Sequence, residues 1–269
     1  MAVEVRKTYK LYVGGEFVRS ESGRTYELGL VNVPRGSRKD LRDAVRSARA
    51  AFQGWSSRTA MNRGQILYRA AEMLDARRSE FRALLGGGRR AAREVDAAVE
   101  AFVWYAGWAD KLHQVAGTVN PVAGPYFNFT LPEPTGVVGV VAPAAPALSG
   151  LVRRLAPALC GGNTVVAIAS EGEPLAALVL AEVLATSDFP GGVVNILSGR
   201  HADLLGWLAG HLDVNAIDAT GCAPDELARI QELAADNVKR VIVRRDGELS
   251  PDAVTALMEF KTVWHPMGV

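Results

Sequence analysis

Short, largely apolar runs alternate with stretches of helical period from residue 135 to residue 244, the first of them, 137–141, β-branched and without charge. Residues 137–141, 164–168, 193–197, 215–218 and 239–244 are predicted strands. Largely apolar runs of this length are what strands buried on both faces of a parallel sheet require. Residues 146–160, 174–186, 202–210 and 225–235 are the predicted helices between them. Pro146 suits a first helical turn through its fixed φ, and Gly161-Gly162-Asn163 stops that helix. Five strands with crossover helices predict an α/β fold built on a doubly wound, Rossmann-like parallel sheet.

The pattern before residue 135 differs. Residues 10–18 alternate around Gly14-Gly15, a hairpin signal, and an extended piece over 25–28 follows. Ser37 is a candidate N-cap for a helix over 38–52, with Leu41, Val45, Ala48 and Phe52 on one stripe. Helical spacing then runs over 60–85 until Gly86-Gly87-Gly88 ends it, because a glycine run sustains a helix poorly. A third helix is predicted over 91–112, with Phe102, Trp104, Tyr105 and Trp108 around its circumference, as in a helix packed between layers. Residues 126–130 form a predicted strand. Pro121, Pro125, Pro132 and Pro134 surround it, so it is expected to project as an arm or edge. A helix over 251–260 and an extended tail over 261–269 close the chain. Three segments follow: 1–134, helical with an arm; 135–250, Rossmann-like; and 251–269, helix and tail.

Composition narrows the function. The 269 residues are 49% apolar and 22% charged, ordinary values for a globular protein. Net charge is +1 but uneven: 21 Lys/Arg face 14 Asp/Glu over 1–134, and 9 face 15 over 135–269. An acidic second half is a poor background for nucleic acid or for a pyrophosphate. The arginines of the first half (Arg77, Arg78, Arg82, Arg89, Arg90, Arg93) lie along helices without interleaved aromatics, as a solvated or partner-facing surface does. Two unpaired cysteines and the lack of a signal-peptide pattern lead to an expected cytoplasmic location. Residues 135–152 carry no charge, but Pro143, Pro146 and three glycines make strand, turn and helix the better reading than a membrane span.

From Leu11 to about Gly247 the chain resembles the aldehyde dehydrogenase superfamily. The resemblance is carried by LYVGGEF (11–17), WYAGWADKL (104–112), YFNFTLPEPTGVVGVVAP (126–143), LAPALCGGNTVV (155–166), FPGGVVNILSG (189–199) and HLDVNAIDATG (211–221), in that order and spacing. EFKTVWHP (259–266) resembles the family's C-terminal strand. The family combines a Rossmann-like cofactor domain, a catalytic domain with a cysteine nucleophile, and a bridging arm that assembles oligomers. Here the last Rossmann strand passes almost directly to the tail, so the resemblance implies cofactor-type domain and arm without the catalytic domain.

The matching positions depart from the family one by one. Pro143-Ala144-Ala145 stands for its Pro-Trp-Asn, so Ala145 replaces the oxyanion donor, a loss of about two to three orders of magnitude in rate. Ile168-Ala169-Ser170-Glu171 keeps only the Ser-Glu of Lys-Pro-Ser-Glu, whose lysine binds the adenosine ribose. Ala219-Thr220-Gly221-Cys222 stands for Phe-Thr-Gly-Ser, and Glu226 for the second glycine near the pyrophosphate. A carboxylate there obstructs and repels a phosphate at a helix N-terminus. Val243-Arg244-Arg245-Asp246-Gly247 stands for Leu-Glu-Leu-Gly-Gly, so Arg244 replaces the general base.

No catalytic residue is therefore expected. Ser170, Glu171, Thr220 and Gly221 are the candidates for residual cofactor contacts, and no metal or firmly held cofactor is expected. Cys160 reads as a core residue. Cys222, beside a helix N-terminus that would lower its pKa, is the better nucleophile candidate but reads as a simple replacement for serine. His113, His201, His211 and His265 lack metal-ligand spacing, and all but His211 are expected on the surface or tail. Glu171 and Glu226 are expected as separate solvated charges.

These readings imply a non-catalytic subunit that joins a full-length, active aldehyde dehydrogenase and stabilises or regulates it. The contacts are expected from an arm over 117–133 (Tyr126, Phe127, Phe129) and a tail over 260–269 (Val263, Trp264), the tail adding a strand to a neighbouring subunit as the resemblance implies. The alternatives are weak NAD(P) binding in a site completed by a partner's residues, and a homo-oligomeric scaffold. Neither nucleic acid nor membrane is an expected partner.

Overall fold

The computed structural model describes residues 6–244 and 249–268; Arg245, Asp246 and Gly247 of the motif above, and Val269 of the tail, lie outside the described residues. In chain order the elements are β1 (Lys7–Thr8), β2 (Leu11–Val13), β3 (Glu16–Val18), β4 (Thr25–Leu28), β5 (Val31–Pro34), α1 (Arg38–Ser56), α2 (Ala60–Ala76), α3 (Arg78–Leu84), α4 (Gly88–Trp108) and α5 (Leu112–Ala116). The arm strands β6 (Thr118–Asn120) and β7 (Tyr126–Pro134) follow. Then come β8 (Val137–Val141), α6 (Ala147–Cys160), β9 (Thr164–Ile168), α7 (Pro174–Ala185), β10 (Val194–Leu197), α8 (His201–Gly210), β11 (Ala216–Asp218), α9 (Pro224–Ala235), β12 (Arg240–Ile242), α10 (Asp252–Thr255) and β13 (Met258–Pro266).

The central sheet has the order β12-β11-β8-β9-β10-β2-β3. Its five strands from β8 to β12 are parallel and doubly wound, and the hairpin β2–β3 extends it antiparallel beyond β10. Alternation along the strands sorts the core into two layers. Val138, Val140, Val165 and Ala167 pack under α6, α7, α2 and α4. Val137, Val141, Val166 and Ile168 pack under α1, α8 and α9. Ser37 caps α1 as expected: its Oγ accepts from the Asp40 N–H at 3.3 Å, and the Asp40 carboxylate accepts from the Ser37 N–H at 2.8 Å. Among the described residues no helix is long and apolar enough to cross a membrane.

Three predicted elements differ. The helix over 60–85 divides at Arg77, whose backbone leaves the helical region (φ −100°, ψ 16°) while its guanidinium reaches Glu80 and, across to α7, Glu182. The helix over 91–112 starts earlier and stops at Trp108, with α5 set off by a turn. The helix over 251–260 shrinks to α10, because from Met258 the chain pairs residue for residue with β7 down to Pro266 opposite Tyr126.

The arm is therefore a three-stranded antiparallel sheet, β13-β7-β6. Its prolines fit because odd positions of β7 exchange backbone bonds with β13, as the flanking bonds from Met267 N–H to Pro125 C=O and from Thr135 N–H to Leu257 C=O show. Pro132 and Pro134 occupy even positions beyond the end of β6, where no ladder donor is needed. Phe127, Phe129 and Val263 share one face; Tyr126 and Trp264 share the other, with rings 5.7 Å apart. The tail expected to add to a neighbour is thus bonded along one edge to its own chain.

Candidate functional site at the switch point of the sheet

Ligands of doubly wound sheets bind outside the carboxyl ends of the strands, where the winding reverses. In this chain that place lies between β8 and β11, whose outgoing loops lead to α6 on one face of the sheet and α9 on the other.

Backbone and charge fill the crevice. A Cβ on Gly221 would stand 2.4 Å from the Val141 carbonyl oxygen and 2.7 Å from the Pro143 nitrogen, so the two loops touch through a glycine. Asp218, at the end of β11, is fully buried. The Arg244 guanidinium donates to its Oδ2 from Nη2 at 2.5 Å and from Nε at 3.2 Å. Arg154 of α6, 1% exposed, places its Nε 3.8 Å from Asp218 Oδ1. The Arg244 N–H also donates to Thr220 Oγ1 at 2.9 Å, and the Thr220 N–H to Asp218 Oδ1 at 3.1 Å. Thr220 and Gly221 thus act as parts of the turn.

Ser170 is buried, its hydroxyl 3.4 Å from the Ala144 carbonyl and accepting from the Glu173 N–H at 3.3 Å. Ala144, Ala145 and Pro146 are exposed, whereas Leu148 is fully buried in the core. Glu171 and Glu226, expected apart, meet at His201. Glu171 Oε2 accepts from the His201 N–H, and Glu226 Oε1 lies at hydrogen-bond distance from its Nδ1, both at 2.9 Å. The imidazole is only 12% exposed, so His201 is no surface histidine. Glu226 Oε2 accepts from the Ala223 N–H at 2.8 Å, capping α9.

Neither cysteine is set up as a nucleophile. Burial pushes the Cys160 thiol up to about 12. Cys222 also rises to about 12, through burial first and then the carboxylates of Glu226 and Asp218. The expected lowering by a helix N-terminus does not occur: burial dominates, and Glu226, which caps that terminus, adds to the rise.

A model of the aldehyde dehydrogenase family matches residues 25–252, most of the chain. The chain belongs to that family. Retinal dehydrogenase 2 of Homo sapiens is 34% identical over 272 aligned positions, which take in 94% of this chain and 51% of that protein. Aldehyde dehydrogenase 1A1 of Gallus gallus is 31% identical over 268 positions, covering 93% and 52%. Among solved structures, the NAD+ complex of an aldehyde dehydrogenase from Bacillus cereus superposes with a TM-score of 0.82 at 28% identity, over 88% of this chain and 50% of that one. Betaine aldehyde dehydrogenase from Staphylococcus aureus, also in complex with NAD+, superposes with 0.83 at 26% identity, over 89% and 50%. The chain spans about half the length of the curated relatives it matches.

For this aldehyde dehydrogenase-like chain a dinucleotide is the group to test against the residues, and they do not fit it. Ile168 offers no ribose donor, Glu226 holds negative charge on the N-terminus of α9, and Arg244 lies in the crevice bonded to Asp218. The Ala145 side chain offers no oxyanion donor and Arg244 no basic lone pair. Asp218 and Arg154 were not among the residues expected at the site, and His201 was expected on the surface. A lone aspartate ending an apolar strand and an arginine pair inside an apolar helix were the available signals.

Proposed function

We propose that this chain is a non-catalytic aldehyde dehydrogenase-like subunit that assembles with a full-length, active aldehyde dehydrogenase and stabilises or regulates it. The observation that carries the reading is Arg244. At the position where the resemblance places the general base stands a guanidinium, locked onto Asp218 at 2.5 Å. An arginine cannot accept a proton near neutral pH, and its ion pair fills the crevice it closes.

The arm supports the assembly half of the reading. In the order β13-β7-β6, one edge of β13 has no partner strand among the described residues, and an open strand edge is a template for another chain. Val119, Phe127, Leu131 and Val263 are exposed on one face of the arm, and Tyr126, Phe260 and Trp264 on the other. Co-expression with a full-length aldehyde dehydrogenase tests this. The whole chain co-purifies with the active enzyme, and a version lacking 260–269 does not. Equal recovery of the two removes the tail from the assembly.

A second reading, NAD(P) binding in a modified site completed by a partner, is favoured by the survival of Ser170, Glu171, Thr220 and Gly221 and by the NAD+ held in the neighbouring structures. Calorimetry with NAD+ and NADP+ on the purified chain decides it: micromolar binding favours that reading, and silence the scaffold.

A further inference from the structure

We infer that the cavity at the root of the arm binds a small organic carboxylate, held by the guanidinium groups of Arg63 and Arg58. The inference goes beyond the assembly reading and does not depend on it.

The cavity has a volume of about 640 Å³ and lies where β7 and β13 meet the C-terminal ends of α1 and α6. Arg63, in the first turn of α2, is 5% exposed and forms part of its wall. Its Nη1 donates to the Arg58 carbonyl at 2.6 Å and to the Ser56 carbonyl at 3.3 Å, and its Nε donates to the Cys160 carbonyl at 3.3 Å. Ser56 and Cys160 are the last residues of α1 and α6, so these bonds satisfy carbonyls at the negative ends of two helices. They supply no anion. Among the described residues no carboxylate pairs with Arg63, and burial pulls its pKa down. A buried ion without an opposite charge is costly. The third nitrogen, Nη2, bonds to none of the described residues and is not sealed from solvent, which leaves a charged donor facing the cavity.

The other charges of the cavity leave this donor available. Glu133 and Glu259 stand opposite each other on β7 and β13 and line the cavity, but each is already engaged. Lys261 holds the first, and Arg240, at 3.0 Å, holds the second. Arg58 is exposed, and its Nη1 donates to the neutral Asn62 side chain at 2.7 Å. Two guanidinium groups on one wall therefore have no carboxylate partner among the described residues. Phe52, Ala60, Pro132 and Pro134 give the same cavity an apolar lining. A carboxylate with a small apolar body answers both features. Its oxygen accepts a charge-assisted bond from Arg63 Nη2, and its body covers Phe52 and the prolines. Inorganic phosphate would use the charge and leave the apolar lining uncovered.

The test is calorimetry on the full chain with benzoate, its neutral counterpart benzamide and inorganic phosphate as probes. Benzoate is expected to bind, and benzamide to bind at least about tenfold more weakly, the scale of a hydrogen bond to a charged group. Arg63→Gln should weaken benzoate by about tenfold or more as well. That substitution also removes donors from two helix ends, so Arg58→Glu serves as a second variant should the first fail to fold. It changes an exposed side chain, sets a carboxylate beside the site, and should weaken benzoate on the order of tenfold while leaving benzamide as it was. Absence of benzoate binding to the wild type at millimolar concentration overturns the inference. So do equal affinities for benzoate and benzamide, and so does benzoate binding that neither variant changes. Phosphate binding without benzoate binding overturns the assignment to a carboxylate. None of these measurements involves a partner chain, so co-purification with a full-length dehydrogenase is tested separately.

Discussion

Asp218→Asn is the sharpest probe of what now holds the crevice. The substitution keeps the shape of the side chain and an acceptor for the Thr220 N–H, and removes one negative charge. That charge is fully buried and faces two guanidinium groups, Arg244 at 2.5 Å and Arg154 at 3.8 Å. Breaking a buried pair by removing one partner costs about 3–5 kcal/mol, since the remaining charge stays in a poor solvent. Arg244 is 25% exposed and regains some water, which places the expected loss near the bottom of that range, about 3 kcal/mol. For a chain of this size each kcal/mol moves the melting temperature by about 2–4 °C, so a fall of about 6–12 °C is expected. The assay is thermal and urea unfolding of wild type, Asp218→Asn, Arg244→Gln and the double variant. The double variant should lose less than the sum of the singles, because the Asp218–Arg244 attraction is counted in each single and can be lost only once. A loss below about 0.5 kcal/mol for Asp218→Asn, the scale of an ordinary surface change, would refute the argument.

Other measurements reach different parts of the account. Gly221→Ala sets a methyl group 2.4 Å from the Val141 carbonyl oxygen and should cost about 1–3 kcal/mol in urea unfolding; a neutral effect would show that the two loops can separate freely. Cys160 and Cys222, both near 12 against an ordinary 9, should alkylate at pH 8 with about a thousandfold less thiolate than a free thiol, and normally once unfolded. Mass spectrometry of iodoacetamide-treated protein checks this, and rapid native labelling of either would contradict it. Lys239 donates to the His211 and Val214 carbonyls at 2.7 Å, and burial pulls it down to about 8 from 10.5. Its folded pKa lies below the unfolded one, so between pH 8 and pH 10.5 the unfolded chain holds more protons and stability rises with pH. Wild type should therefore gain on Lys239→Met across that window, and a constant difference between the two would contradict the shift.

Much of the fold is legible because burial on both faces leaves an undiluted signal. The runs 137–141 and 164–168 coincide with β8 and β9. Signals that depend on distant partners are harder to read. Nothing local to Arg77 announces the break between α2 and α3, since apolar spacing continues through it while its ion pair reaches α7. The 251–260 segment has helical composition, but its second half takes its conformation from a nine-residue ladder with β7, more than a hundred residues earlier. At the site, the replacements at Ala145, Glu226 and Arg244 can be read by position. Their new partners cannot. Asp218 and Arg244 meet only because β11 and β12 run parallel in a register that sets Asp218 opposite Ile242. Glu171 and Glu226 meet only because α8 begins between them.

The central claim is a retained shape serving assembly with its chemistry replaced, and native mass spectrometry tests it most directly. The chain is co-expressed with a full-length aldehyde dehydrogenase and the intact complex is weighed. A mixed oligomer containing both chains, which loses this chain when 260–269 are removed, is the predicted result. Homo-oligomers of each protein alone, with no mixed species, would contradict it.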